Sequence, residues 1–132
     1  MLDRLAQLEK RFNDIEREMA TEESVENPRR LQELAQERAG LEDVVVRYRR
    51  YQATSKSLDE LRAMLETETD DEMRSMVKQE TASLEARLAQ EQEELKTKLM
   101  TAEFATWHVI LDRRAEIIAQ AKIGRASCRE RV

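Results

Sequence analysis

Apolar residues recur every three or four positions through most of this chain. Near the start, Leu2, Leu5, Leu8, Phe12, Ile15 and Met19 are separated by steps of 3, 3, 4, 3 and 4. That spacing keeps to one face of a 3.6-residue helix and predicts a first helix over about residues 2–20. Asp3, Arg4, Glu9, Lys10, Asp14, Glu16, Arg17 and Glu18 fill the positions between and form a solvated face.

The pattern breaks over residues 21–27. Asn27 then precedes Pro28, which marks a helix start: Asn caps, and Pro suits a first turn whose N–H needs no partner. The second helix runs to about residue 66, roughly 58 Å at 1.5 Å per residue. Its seam opens with Leu31, Leu34, Arg38, Leu41, Val45 and Tyr48, turns polar at Gln52 and Ser55, and resumes at Leu58, Leu61 and Leu65. Gly40 is tolerated at a cost of about 1 kcal/mol relative to Ala.

Residues 67–70 form a short turn. Asp70 and Asp71 favour a new helix start through capping and the helix dipole, and Asp70 is spaced to pair with Arg74. The third helix reaches Leu99 or Met100, with Met73, Val77, Leu84, Leu88, Leu95 and Leu99 on its seam and Met76 beside it. Glu80 and Glu91 interrupt that seam.

Short connections favour antiparallel neighbours. The predicted fold is all-α: an elongated three-helix antiparallel bundle with a long coiled-coil-like helical hairpin. Folding the first helix back on the second places Met1 near residue 47. Beyond that point the second helix has only the third to pack against. Gln52 and Ser55 therefore mark the border between a three-helix base and a two-helix tip. Met64, Met73 and Met76 cluster at the tip, where they serve packing or an adaptable partner surface.

Composition agrees with long helices. Charged residues make up 39% of the chain and aromatics 4%, with two Gly and one Pro. Such a chain has too little bulky apolar volume for a compact globule and suits a narrow apolar seam. Its regular spacing argues against disorder. The net charge of −5, with both signs interspersed, disfavours wrapping DNA or RNA, which needs a basic face. No apolar run is long enough to span a bilayer and no signal peptide opens the chain. One Cys and no disulfide framework fit the cytoplasm.

Three segments follow from this: a helical domain over residues 1–100, a separate stretch over 101–122, and a tail over 123–132. The tail, from Ile123 to the end, reads like the in-frame translation of a short-read sequencing adapter, so it is set aside from fold and function along with Cys128. In the middle stretch Phe104, Trp107, Leu111 and Ile118 have the spacing of a helical stripe.

Candidate chemistry is sparse. His108 is the only His and has no evident nucleophile or orienting partner. The carboxylates, Glu91, Glu93 and Glu94 among them, fall on helix faces rather than in a cleft that would raise their pKa values. There is no Gly-rich phosphate loop and no metal-ligand spacing; no cofactor and no catalytic residue are expected. One feature stands out, the run Arg47-Tyr48-Arg49-Arg50-Tyr51, with Arg38 and Lys56 within three turns. Arginines beside aromatics can grip RNA through phosphate contacts and stacking. Arg47, Arg49 and Arg50 are thus candidate RNA or partner contacts. The alternative is that the tyrosines belong to the seam and the arginines pair with acids such as Asp43, four residues before Arg47.

The order of several segments resembles a known family. Met1-Leu2-Asp3-Arg4-Leu5 opens the first helix. Asn27-Pro28-Arg29-Arg30-Leu31-Gln32-Glu33-Leu34-Ala35 opens the second, which continues through Leu41-Glu42 and Tyr48-Arg49-Arg50-Tyr51. Asp71-Glu72-Met73-Arg74-Ser75-Met76, Leu84-Glu85-Ala86-Arg87-Leu88 and Glu93-Glu94-Leu95-Lys96 follow. Together, over about residues 1–99, these are similar to the N-terminal domain of bacterial class-one peptide chain release factors, the branch that reads UAA and UAG. The resemblance implies a translation-termination protein that recognises stop codons on the ribosome and triggers peptidyl-tRNA hydrolysis. It also implies a helical domain beside the base of the large-subunit stalk, with a class-two release-factor GTPase as a further partner. The family's Gly-Gly-Gln loop and stop-codon tripeptide have no counterpart in this sequence. Where the family continues with a Pro-Lys-Asp-Pro-like loop, this chain has Thr101-Ala102-Glu103-Phe104. The competing function is a structural coiled-coil scaffold or dimerisation protein; a basic tRNA-binding arm is disfavoured by the acidic, mixed charge.

Overall fold

A computed structural model describes the backbone of residues 1–130, and the side chains of residues 1–104 and of a few positions beyond. Four helices follow one another: α1 (Leu2–Met19), α2 (Glu22–Val25), α3 (Pro28–Thr67) and α4 (Asp71–Glu130). The chain divides into two units, Met1–Leu99 and Met100–Val132.

In the first unit, α1 buries the face its spacing predicts, with Leu5, Leu8, Phe12 and Ile15 all inside. It ends on Arg17 and Glu18, whose carbonyls accept the N–H groups of Ala20 and Thr21. The predicted break at residues 21–27 is not all loop, because a single turn of helix, α2, occupies its middle. The Thr21 side chain caps α2 by accepting the Ser24 N–H, and its hydroxyl donates to the Glu18 carbonyl at 2.6 Å. The Asn27 side chain then accepts the Arg30 N–H at 3.3 Å and Pro28 takes the first turn of α3, as the sequence predicts.

Cross-helix ion pairs mark both antiparallel pairings. Between α1 and α3, Arg30 meets Glu18 (2.9 Å), Arg11 meets Glu37 (2.7 Å), Arg38 meets Glu16 (3.0 Å) and Arg49 meets Glu9 (3.1 Å). Between α3 and α4, Asp43 meets Lys98 (3.0 Å), Arg47 meets Glu94 (2.9 Å) and Arg62 meets Glu85 (3.1 Å). α3, 40 residues and about 60 Å long, is therefore the central element. It packs against α1 in its first half and against α4 from Asp43 onward. Because two helices cover it, its buried face is wider than one seam: Val44 is buried beside Leu34, Leu41, Val45 and Tyr48.

The tip is more open, as expected. Leu58 and Val77 are buried, but Leu61 and Leu65 are half-buried, and Met64, Met73 and Met76 are exposed. In the turn, the Glu68 carboxylate accepts the N–H groups of Thr69 and Asp70, and Asp70 accepts the N–H of Glu72. Arg74 does not follow the expected pairing with Asp70. Its guanidinium donates instead to the Leu65 and Glu68 carbonyls at 2.6 and 2.9 Å, which lie among the last acceptors of α3 left open by helix geometry.

The predicted end at Leu99 or Met100 also differs. Helix continues through the second unit to Glu130, for a simple reason: no Gly or Pro stands between Met100 and Ile123, so nothing in that sequence stops it. Phe104, Ile117 and Ile118 are exposed there. The readings of Trp107, Leu111, His108 and Cys128 lie outside the described side chains.

Candidate partner-docking surface

The run from Arg47 to Tyr51 lies on α3 where α1 ends. Leu2, Tyr48, Tyr51, Gln52, Ser55, Lys56 and Asp59 line an open groove of about 350 Å³. The start of α1 thus reaches residues 48–52 of α3, one turn further along than residue 47.

The three candidate arginines have different fates. Arg47 is held on both sides, donating from Nε to Asp43 at 3.1 Å and from Nη1 to Glu94 of α4 at 2.9 Å. Arg49 donates to Glu9 and Asn13 of α1, at 3.1 and 2.8 Å. Its guanidinium also lies 5.5 Å from the centroid of the Phe12 ring, with that of Arg38 at 4.9 Å. Arg50 is exposed, and among the described residues it makes no ion pair or side-chain hydrogen bond. Tyr48 is buried and Tyr51 half-buried at the groove. Two of the three arginines therefore serve helix packing, and Arg50 with Lys56 and Tyr51 is what this surface presents to solvent.

Titration is perturbed at Arg11, Arg30 and Asp43. Hydrogen bonding to Glu37 holds the Arg11 guanidinium above its ordinary pKa, and Glu18 does the same for Arg30. The Asp43 carboxyl is held below its ordinary value, first by its hydrogen bond to Lys98 and then, against some desolvation, by Arg47. A depressed carboxylate contributes stability that is complete above the unfolded-state pKa, about 3.9, and lost as pH falls through the folded-state value. Asp43→Asn should therefore cost below about 1 kcal/mol near neutral pH, since the side chain is 58% exposed. The difference from the parent chain should close below the ordinary carboxylate range and shrink in high salt, as urea unfolding at several pH values will read.

Among the described residues, no group of three or more His, Cys, Asp or Glu side chains could hold a metal ion. Glu91 is the one described carboxylate in the buried class, and it lies between helices rather than in a cleft. No helix among the described residues is long and apolar enough to cross a membrane.

An all-α helical bundle built on a long hairpin is the class of protein that the fold defines. The PCRF domain matches residues 8–117, and the chain belongs to that family. The match reaches beyond Leu99, through most of the 101–122 stretch that the sequence sets apart. Peptide chain release factor 1 of Dehalococcoides mccartyi strain BAV1 is 43% identical over 100 residues, which is 76% of this chain and 28% of the relative. The factor of the same name from Oceanobacillus iheyensis is 38% identical over the same shares. The chain thus spans 28% of the length of these relatives. No solved structure matches it.

Proposed function

We propose that this chain is the helical docking domain of a bacterial translation-termination factor acting in the cytoplasm. The observation that carries the proposal is the PCRF match together with 43% identity to a peptide chain release factor 1. The parent protein recognises stop codons and triggers peptidyl-tRNA hydrolysis. The groups for decoding and hydrolysis lie outside these 132 residues, which contain no Gly-Gly-Gln. The domain contributes binding: it docks on the ribosome at the base of the large-subunit stalk, with a class-two release-factor GTPase as a second partner. Arg50, Lys56 and Tyr51 are the contact groups favoured for it, because Arg47 and Arg49 are engaged within the fold. We further propose that residues 123–132 are foreign to the domain.

The test is co-sedimentation with purified bacterial ribosomes, run beside a peptide-release assay on stop-programmed ribosomes. The chain should pellet saturably, more weakly than an intact factor whose other domains add effective concentration. Intact factor should displace it, and Arg50→Glu should weaken binding several-fold. Peptide release should not rise above buffer. Failure to pellet at any concentration, or stop-dependent release by the chain itself, overturns the proposal.

A further inference from the structure

The α3/α4 interface contains a layer that is not apolar. Leu95 and Leu99 are buried on one side of it along α4, and Leu58 and Val77 on the other. Between them Glu91 is only 8% exposed and Thr54 only 6%. Glu91 Oε1 accepts the Thr54 hydroxyl across the interface at 3.2 Å and Arg87 Nε, one turn back on α4, at 3.0 Å. Glu91 Oε2 is buried and has no hydrogen-bond partner in the protein. A buried carboxylate half-served in this way is poor value as a source of stability, since desolvation opposes the attraction. Its effect must lie elsewhere.

The hairpin has a problem that such a group can solve. The tip seam is built from leucines, methionines and a valine at repeating intervals on both helices, so a slip of one turn replaces apolar contacts with apolar contacts. The cross-helix pairs Arg62–Glu85 and Arg47–Glu94 are substantially exposed and hold register weakly. The turn has no glycine or proline, and no described residue has positive φ. A turn displaced by two residues can be rebuilt from the same Thr, Glu and Asp side chains. Arg74 ties down the turn itself through the Leu65 and Glu68 carbonyls, and buried Thr81 bonds within its own helix to the Val77 carbonyl; within the interface it is Glu91 that discriminates. A slip toward the tip removes Thr54 and sets the buried carboxylate against Leu58, which offers no donor. A single polar residue in a helical seam is the recurring way to fix one register at a cost in stability.

We propose that the Thr54–Glu91 pair, with Arg87, is a register lock at the junction of base and tip. It excludes a one-turn slip of α4 toward the tip and so sets how far the tip extends from the base. The lock is independent of the partner proposed above.

The test uses the full chain with Cys128→Ser, carrying spin labels on exposed Ala53→Cys and Ala82→Cys, which stand about 15 Å apart along the helix axes so that a slip changes their distance directly. In this background Glu91 should give one narrow inter-label distance. Replacing the pair with apolar groups, Thr54→Val with Glu91→Leu, should leave the urea midpoint equal or higher. It should also add a second distance population, from an offset of about 6 Å along the helices for a four-residue slip. Glu91→Ala, which removes the carboxylate without adding volume, should broaden the distribution in the same way. Glu91→Gln, which still accepts from Thr54, should keep one distance. A single narrow distance in both the apolar pair and Glu91→Ala, whatever their midpoints, overturns the lock.

Discussion

Phe12→Ala should destabilise the first unit by about 3–5 kcal/mol, in the range for a large aromatic removed from a packed core. Phe12 is 3% exposed and is the only aromatic on α1. Its ring does more than fill space. The guanidiniums of Arg38 and Arg49 lie 4.9 and 5.5 Å from its centroid, each worth about 0.5–1 kcal/mol at an exposed site. Both arginines reach back to α1, to Glu16 and Glu9, so ring, cations and carboxylates form one α1–α3 clasp. Phe12→Leu should recover most of the apolar term and none of the cation–π term. Urea unfolding at two protein concentrations also separates this fold from a dimeric scaffold. A base closed within one chain gives midpoints independent of concentration; a dimer does not. A loss below 1 kcal/mol for Phe12→Ala would mean that α1 does not close the base.

The helices of this domain are legible in the sequence because each signal is local. A 3-4 spacing, Asn27 before Pro28 and paired aspartates before Met73 each specify what happens within a turn or two. α2 was missed although Thr21, followed by two acids and Ser24, carried a cap signal. One turn of helix is too short to show a period. Val44 was missed for a different reason. Counting a single seam along α3 assumes one neighbour, whereas α3 lies between two helices, and a second stripe of residues is buried with the first.

The candidate site divides along the same line. Arg47 with Asp43 could be read from their spacing, since the partner is one turn away. Glu94, Glu9 and Asn13 sit on other helices, 47, 40 and 36 residues distant. Nothing local in the sequence announces which arginine they will claim. Glu91 looked like an interruption of the α4 seam and is instead a buried member of it. The polar border of α3 was placed at Gln52 and Ser55, but the residue that turns inward is Thr54. A polar residue on an apolar stripe can turn out or stay in with a partner, and only the facing helix decides between the two.

The division into base and tip makes a second large prediction. Leu95→Ala should cost about 3–5 kcal/mol, because Leu95 is fully buried and its neighbours on α4, Glu91 and Leu99, are held in place on either side. Leu61→Ala should cost about 1 kcal/mol. Leu61 is half-buried in a two-helix segment, where much of the side chain already meets water and the gap can collapse. The same physics sets local opening. Two helices share one narrow seam at the tip, and an isolated helical hairpin of that size has little burial to hold it. Amide exchange should therefore be fastest around residues 61–76 and slowest around Val44, Val45 and Leu95. Leu61→Ala should speed exchange at the tip while leaving the base rates unchanged, whereas Leu95→Ala should raise rates through the whole of Met1–Leu99. Equal costs for the two substitutions, with exchange rising everywhere in both, would show a single cooperative unit with no separable tip.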